Sequence, residues 1–226
     1  MINQGIKEII QLNKEFYSKH NESFDKSRSF GFWKGFEEIL LYLPENLKIL
    51  DLGCGNARFL KFLHEKNSSI GSYIGIDNSI EFIEKNKQSY PQYNFKVLDV
   101  ISEIEELNEK YSLITAFGIT HHIPNKNFRE NWFLKLETML NKGGFLVLSF
   151  WNFDKTKDDS EYKTISYQKE KGDYFLGWKE DYTSHRYCHY FEKEEITEVI
   201  SLLKGCTLIK SFQEDQNTYL ILQKNS

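Results

Sequence analysis

The stretch Lys48–Leu60, KILDLGCGNARFL, decides the fold. Its apolar start stops at Asp51, two glycines follow at Gly53 and Gly55, and an apolar-spaced stretch resumes at Phe59. A continuous apolar run is typical of a buried strand in a parallel sheet. Glycines directly after such a strand let the backbone turn sharply and let a ligand come close. The stretch therefore predicts a strand, a ligand-binding turn and a helix.

Strand and helix patterns alternate from residue 47 to about residue 150. The further apolar runs that predict strands are SYIGID, NFKVLDV, YSLITAFG and GFLVLSFWNF. Between the last two, Phe128, Trp132, Leu136 and Leu140 recur every fourth residue and indicate one helix face, which we expect to end at residues 141–144. This alternation predicts a parallel sheet with helices on both faces.

Outside this core we expect helical and hairpin elements in one domain over residues 1–226. Apolar spacing predicts two helices in residues 1–44, which we expect to form a lid over the core. Ser79 is a plausible N-cap of a core helix. The core follows at 45–153 and a polar insertion at 154–191. A helix and two strands, TLIKSF and NTYLILQK, fill residues 192–226. Their short spacing favours an antiparallel hairpin that closes the edge of the sheet.

Composition limits the classes of protein. The 226 residues are 40% hydrophobic and carry a net charge of −4, which argues against coating nucleic acid by charge alone but permits a local basic groove. Cys54, Cys188 and Cys206 contain no CxxC pair and indicate free thiols in a reducing compartment. The start, MINQGIKEII, does not resemble a signal peptide, and no apolar run approaches the ~20 residues that span a bilayer. We expect a soluble cytoplasmic protein without a membrane anchor.

Two features exclude the common phosphate-binding turns. A dinucleotide site has a third glycine where this chain has Arg58, which argues against a nicotinamide-dependent oxidoreductase. No Gly-Lys-Ser/Thr follows, so a P-loop is also absent from the sequence.

Three acids instead follow or end successive strands, at Asp51, Asp77 and Asp99. An acid ahead of the glycines suits a cationic sulfonium or ammonium group. Asp77 is placed to accept both ribose hydroxyls, and Asp99 to accept from an adenine amino group. Any one of them alone is more simply a solvated loop residue, but the set predicts S-adenosylmethionine.

These motifs resemble those of class I S-adenosylmethionine-dependent methyltransferases over residues 47–153. The resemblance implies an α/β fold with a seven-stranded, doubly wound, Rossmann-like sheet whose last strand is antiparallel. Many members have a third glycine where this chain has Ala57, a small change that leaves binding intact. We expect Arg28 to hold the methionine carboxylate of the cofactor. The other predicted cofactor-binding residues are Asp51, Gly53, Cys54, Gly55, Asp77, Asn78, Asp99, Val100 and Phe117.

The flanking segments resemble, in order, those of the eukaryotic-type tRNA wobble-uridine carboxymethyl methyltransferases. The segments are FDKSR, FGITHHIPN, FLGWK, HRYCHYFEKEEI and EDQNTYLILQK. HRYCHYF, at residues 185–191, is the most specific of them, and the insertion at 154–191 is expected on the substrate side. Three positions depart from the family pattern: Ser27 replaces Thr, Cys188 replaces a Tyr, and Thr218 is inserted before Tyr219.

The resemblance implies methylation of the carboxylate of 5-carboxymethyluridine at the tRNA wobble position. A carboxylate is ionised at pH 7 and needs no general base, only alignment and removal of water. Candidates for orienting it are Arg186, His189, Tyr187 and His122. Each has an ordinary alternative: a salt bridge of Arg186 with Glu194 or Glu195, a hydrogen-bonded core position for His189, and a loop or helix cap for His121 and His122.

The resemblance also implies partners, namely tRNA and a small zinc-binding activator subunit that pairs with the sheet edge. The sequence contains no zinc cluster of its own, and we expect no metal site. Two other functions stay open: a small-molecule O- or C-methyltransferase of the same fold, and a non-catalytic regulatory subunit that binds S-adenosylmethionine. An apolar pocket around HRYCHYF would favour a small substrate, and an open basic groove would favour RNA.

Overall fold

The computed structural model describes residues 2–28, 31–159, 162, 164, 166–178 and 181–226, without the side chains of residues 24, 27, 28 and 182. The strands are β1 (Leu47–Leu52), β2 (Ile70–Asp77), β3 (Asn94–Val97), β4 (Tyr111–Ala116), β5 (Leu140–Trp151), β6 (Asp173–Trp178), β7 (Asp181–His189), β8 (Cys206–Glu214) and β9 (Asn217–Lys224). The helices are α1 (Gln4–Lys19), α2 (Asn21–Arg28), α3 (Gly35–Leu40), α4 (Arg58–Glu65), α5 (Ile80–Ser89), α6 (Lys126–Thr138) and α7 (Lys193–Leu202).

Seven strands form one sheet in the order β3-β2-β1-β4-β5-β9-β8. The first five are parallel to one another, whereas β9 runs antiparallel to both β5 and β8. The predicted doubly wound sheet, its antiparallel last strand and the closing hairpin are therefore confirmed. The glycine turn follows β1 at the centre of this sheet, beside β4, where the strand order reverses.

Both faces of the sheet are buried, as the continuous apolar runs predict. Alternate residues of β1 belong to two separate cores: Leu50 and Leu52 to one, Leu47 and Ile49 to the other. Ser79 caps α5, as predicted, by accepting a hydrogen bond from the Phe82 amide at 3.3 Å. The sheet is thus covered by helices on both sides and holds its carboxyl edge in a fixed position.

Two sequence expectations need correction, and a further element appears in the insertion. Three helices, not two, precede β1 in the described residues, because the polar segment Asn21–Arg28 forms α2. The turn expected at 141–144 lies within β5, where the pairing with β4 shifts register between Tyr111 and Leu113. The insertion contains a two-stranded antiparallel sheet, β6–β7, which includes most of HRYCHYF.

The search for membrane-crossing helices covered the described residues. None of their helices has both the length and the apolar character that a bilayer span requires.

Candidate functional site

A cavity of about 370 Å³ lies at the carboxyl edge of the sheet, a volume within the ~300–1,000 Å³ typical of small-molecule and cofactor sites. It is lined by every predicted cofactor-binding residue whose side chain is described. These are Asp51, Gly53, Cys54, Gly55, Asp77, Asn78, Asp99, Val100 and Phe117. The side chain of Arg28, the remaining candidate, lies outside the described residues.

The turn after β1 presents bare backbone to the cavity. Gly53 and Gly55 have φ angles of +69° and +49°, in the left-handed region that favours glycine. The amides of Gly53 and Cys54 both donate to the Ile76 carbonyl, at 2.8 and 3.0 Å, which fixes the turn against β2. Apart from the two adjoining residues, no atom of the described part of the chain lies within 4 Å of where a Cβ on Gly55 would stand. A ligand can therefore approach this backbone closely.

The Asp77 carboxylate is held at the end of β2 by two backbone amides. Oδ2 accepts from the Gly55 amide at 2.9 Å, and Oδ1 accepts from the Ser79 amide at 2.9 Å. Burial raises the pKa of Asp77, and these hydrogen bonds oppose the rise. Because each oxygen accepts one N–H and keeps a further lone pair, the carboxylate can take the two hydroxyls of a ribose.

Asp51 lies beneath the turn and is almost fully buried. Its carboxylate accepts from the Tyr73 hydroxyl at 2.6 Å and from Thr115 Oγ1 at 2.7 Å. Burial raises its pKa to about 6, although both hydrogen bonds act in the opposite direction. These contacts join β1 to β2 and β4, so Asp51 ties the central strands together as well as lining the cavity.

Asp99 lies two residues after β3 and shapes the far end of the cavity. Its Oδ1 accepts from the amides of Ile101 and Ser102, at 2.9 and 3.3 Å. Within the described part of the chain Oδ2 makes no hydrogen bond, so it is available to an amino group. The carbonyl of Val100, beside it, accepts from the Trp132 indole at 2.7 Å, which holds this loop on α6.

Helices α1 and α2 cover the cavity. Asn13, Tyr17 and Asn21 line it from above. A hydrogen bond joins Asn21 to Glu81 on α5. Nearby, Asn56 of the glycine turn donates to Asp25 of α2 at 2.9 Å. The N-terminal segment that we expected to form a lid therefore contacts two walls of the cavity.

His122 and Tyr17 form one end of the cavity. His122 Nδ1 lies 3.0 Å from the Tyr187 carbonyl, and Nε2 lies 2.8 Å from the Tyr17 hydroxyl. A carbonyl only accepts, so Nδ1 carries the proton and Nε2 accepts from Tyr17. Sequence reasoning missed Tyr17, although its helical spacing had placed it on an apolar face of α1.

Arg186 lies directly behind Tyr17 and is 7% exposed. Its guanidinium contacts four aromatic rings, with centroid distances of 5.0 Å to Phe16, 5.9 Å to Tyr17, 5.1 Å to Trp151 and 5.4 Å to Trp178. Nη1 approaches the Tyr17 hydroxyl at 3.4 Å, and Nε is buried without a partner. Burial opposes the charge, but Tyr17 and Cys188 outweigh it and raise the pKa of Arg186. Among the described residues, no carboxylate forms an ion pair with this cation.

The salt bridge considered for Arg186 is absent, because Glu195 is engaged elsewhere. Its carboxylate pairs with Arg129 at 3.2 Å and with His189 Nε2 at 2.8 Å. His189 Nδ1 lies 2.7 Å from Asp173, which also accepts from the Tyr187 hydroxyl at 2.6 Å. The hydrogen-bonded core position considered for His189 is therefore what the structure shows.

Tyr187 and His189 thus lie apart from the cavity, because alternate residues of β7 point to opposite sides. Arg186 and Cys188 lie on one side of β7. On the other side, Tyr187 packs on Ile9 of α1, and both Tyr187 and His189 contact Asp173. Of the four candidates for orienting an acceptor, only His122 lines the cavity, and Arg186 lies behind it, in contact with the Tyr17 hydroxyl that does line it. Tyr187 contributes to the cavity end through its backbone carbonyl.

One group of potential metal ligands occurs in the part of the chain that is described. His121, His122 and Cys188 each offer one ligand atom, and these atoms lie within 4.8 Å of one another. Hydrogen bonds to Tyr17 and Tyr187 already engage both nitrogens of His122. Burial raises the pKa of Cys188 to about 12, which disfavours the thiolate that a metal requires.

Comparisons with known proteins agree with this geometry. A family model described as a methyltransferase domain matches residues 25–201. A protein of Invertebrate iridescent virus 6, provisionally named a methyltransferase, is 30% identical over 128 residues, which cover 56% of this chain and 46% of the viral protein. The tRNA (carboxymethyluridine(34)-5-O)-methyltransferase of Schizosaccharomyces pombe is 22% identical, with 93% of this chain and 95% of that protein covered.

Solved structures share the fold. The 1,6-didemethyltoxoflavin-N1-methyltransferase of Burkholderia thailandensis, solved with S-adenosylhomocysteine, superposes with a TM-score of 0.70 at 14% identity. The alignment covers 100% of this chain and 92% of that one. An S-adenosylmethionine-dependent methyltransferase of Clostridium acetobutylicum gives a TM-score of 0.65 at 15% identity, with 93% and 99% covered.

Proposed function

Because the chain belongs to the methyltransferase domain family, we propose that it methylates a carboxylate, that of 5-carboxymethyluridine at the tRNA wobble position. The protein is an S-adenosylmethionine-dependent methyltransferase, and its cavity fits that cofactor in size and in the placement of Asp77 and Asp99. S-Adenosylmethionine supplies the electrophilic methyl group, and the products are a methyl ester and S-adenosylhomocysteine.

The proposal rests mainly on the environment of Arg186. Arg186 is a buried cation without a counter-ion among the described residues, which is costly because it loses hydration and gains no opposite charge from them. The four surrounding rings offset part of this cost by cation–π attraction. An acceptor carboxylate at the adjoining cavity end would supply the missing charge. A planar guanidinium suits a carboxylate because both can form two parallel hydrogen bonds.

The neighbouring residues explain how a carboxylate could react there without a base. A carboxylate is ionised at pH 7 and is itself the nucleophile. His122 accepts a hydrogen bond from the Tyr17 hydroxyl. This bond fixes the hydroxyl so that the lone pairs of its oxygen point towards Arg186. Phe16, Tyr17 and the two tryptophans exclude water from the guanidinium, which strengthens its attraction for an anion. The chain thereby orients an acceptor rather than activating it.

The relatives support the choice of acceptor. The S. pombe protein, whose name specifies carboxymethyluridine at position 34 of tRNA, aligns with nearly the whole of this chain. Segments around HRYCHYF resemble the same family. We further propose that tRNA binds at the mouth of the cavity and that a small zinc-binding subunit assists the reaction at a sheet edge.

A second candidate is methylation of a small molecule by the same residues. One observation favours it: Arg186, Tyr187, Cys188 and His189 are all buried, so HRYCHYF is largely enclosed rather than an open basic groove. A carboxylic acid small enough to enter the cavity would satisfy Arg186 equally well.

Methyl transfer from labelled S-adenosylmethionine to total tRNA, followed by mild alkali, separates these functions. Alkali-labile label in tRNA supports the wobble-uridine carboxylate. Alkali-stable label means another acceptor atom, and absence of label with the zinc-binding subunit added favours a small molecule. Turnover of either kind excludes the regulatory-subunit alternative.

A substitution tests the role of Arg186. Arg186→Met keeps the unbranched stem of the side chain but removes the charged guanidinium, and loss of two charge-assisted hydrogen bonds should lower kcat/KM by about 10²–10⁴-fold. Cofactor affinity, measured by calorimetry, should stay unchanged. Lys155→Met is the matched control, since it removes a cation lying 4.3 Å from the Tyr190 ring outside the cavity. Full activity of Arg186→Met would refute the assignment.

A further inference from the structure

We propose that Asn13 is a positioning residue that sets the acceptor end of the cavity, an inference that rests on the acceptor site proposed above. Asn13 is 5% exposed and lies on α1, where it lines the cavity. Its side-chain amide joins α1 to β7 at the residue next to Arg186. Nothing in the sequence motifs singled it out.

The contact is a two-point clamp on one residue of β7. Asn13 Oδ1 accepts from the Tyr187 amide at 2.7 Å, and Nδ2 donates to the Tyr187 carbonyl at 3.2 Å. The side-chain amide thus pairs with the β7 backbone as a neighbouring strand would. Because one amide satisfies both groups, the clamp fixes the position of α1 along β7 as well as its distance from it.

The clamp determines how Tyr17 and Arg186 meet. Asn13 and Tyr17 are four residues apart on α1, so they lie on the same helix face, one turn apart. Arg186 precedes the clamped residue on β7. The Tyr17–Arg186 contact is long, at 3.4 Å, and cannot by itself hold the two elements in register. The short bond from Asn13 to Tyr187 can.

The clamp also acts on His122. The Tyr187 carbonyl accepts from both Asn13 Nδ2 and His122 Nδ1, and Nδ2 itself lies 3.3 Å from Nδ1. Nδ1 lies closer to the carbonyl, at 3.0 Å, than to Nδ2, at 3.3 Å, which assigns the proton to Nδ1 and leaves Nε2 as the acceptor for Tyr17. Asn13 and His122 thus share one acceptor, and by fixing that carbonyl Asn13 supports the tautomer of His122 and the orientation of the Tyr17 hydroxyl.

Asn13→Asp provides a test with a built-in rescue. The carboxylate can still accept from the Tyr187 amide but repels the Tyr187 carbonyl, whereas the protonated acid can donate to it again. Burial disfavours the charged carboxylate, so lowering the pH from 8 to 6 should increase the protonated fraction. Asn13→Ala removes the clamp at every pH and is the matched control.

The assay is kcat for alkali-labile methylation of tRNA from pH 6 to 8, with each variant expressed relative to the wild type at the same pH. At pH 8 both variants should lose about tenfold in kcat, with cofactor affinity within about twofold of the wild type. At pH 6 Asn13→Asp should recover most of this loss, and Asn13→Ala should not. The other titratable or charged groups facing position 13 are Tyr17, His122, Arg186 and Cys188; the wild-type reference corrects for their titration.

A spectroscopic readout separates failure of this inference from failure of the acceptor assignment. The side-chain Nε–H signal of Arg186, assigned by its absence in Arg186→Met, should be sharp in the wild type. In Asn13→Asp it should broaden at pH 8 and sharpen at pH 6. If the wild type did not methylate tRNA, only the acceptor assignment would be overturned. If neither the Arg186 signal nor the kcat ratio of Asn13→Asp changed with pH, the clamp would be overturned.

Discussion

Replacing Asp77 tests the cofactor site most directly. Each of its oxygens accepts one backbone amide at 2.9 Å and has one lone pair left for a ribose hydroxyl. A hydrogen bond to a charged group contributes about 1.5–3 kcal/mol. Loss of two such bonds in Asp77→Ala costs about 3–6 kcal/mol, which is about 10²–10⁴-fold in the dissociation constant of S-adenosylhomocysteine.

The assay is calorimetry with S-adenosylhomocysteine and with its 2′,3′-dideoxy analogue. The wild type should bind the analogue more weakly by the factor given above, and Asp77→Ala should bind both compounds with similar affinity. This comparison matters because Asp77 also holds the amides of Gly55 and Ser79. If the variant lost affinity for both compounds equally and still preferred the hydroxylated one, Asp77 would act only through the turn, and the ribose assignment would be refuted.

Two further predictions concern stability. Burial alone would lower the pKa of His189, but Asp173 and Glu195 raise it above its ordinary value of 6.5. The interaction of the protonated ring with these carboxylates therefore stabilises the fold fully below pH 6.5, and this contribution is lost as the pH rises through the raised pKa. The melting temperature of the wild type should fall as the pH rises from 6.5 to 9, and that of His189→Gln should fall less steeply. Equal slopes of melting temperature against pH would contradict the ion pairing. Tyr73→Phe removes one of two donors to Asp51, whose pKa is about 6, so urea unfolding should show a loss of about 1–3 kcal/mol at pH 8 and a smaller loss at pH 5. A loss independent of pH would mean that the contribution of the hydroxyl does not depend on the charge of the Asp51 carboxylate.

The central fold could be predicted because its signals are local. Continuous apolar runs, a glycine turn and the Ser79 cap each depend on neighbouring residues only, and all agree with the sheet order. The errors arose where distant contacts decide. The polar α2 packs against Glu81 and Asn56 rather than burying an apolar face, so its sequence shows no helical periodicity. The start of β5 depends on a register shift against β4 that no spacing in β5 reveals.

The lining of the proposed cofactor cavity could also be predicted, whereas the proposed acceptor end could be predicted only in part. Cofactor residues follow strand ends, and the sheet brings strand ends together by topology. The acceptor end is assembled from α1, the turn at residues 120–122 and β7, which are far apart in the sequence. Tyr17 and Asn13 reach it through helix packing, a relation that the sequence does not encode locally.

HRYCHYF shows why residue type alone could not identify the acceptor residues. Arg186 and His189 are both buried cations of β7, but they face opposite sides of the strand. His189 has two carboxylate partners, and its nitrogens have no capacity left for a ligand. Among the described residues, Arg186 has aromatic neighbours, a long hydrogen bond to Tyr17, an interaction with Cys188 and a buried Nε without a partner, so part of its donor capacity is left over. A substrate can bind only where hydrogen-bonding capacity is left over, and for an anion that condition selects Arg186 over His189.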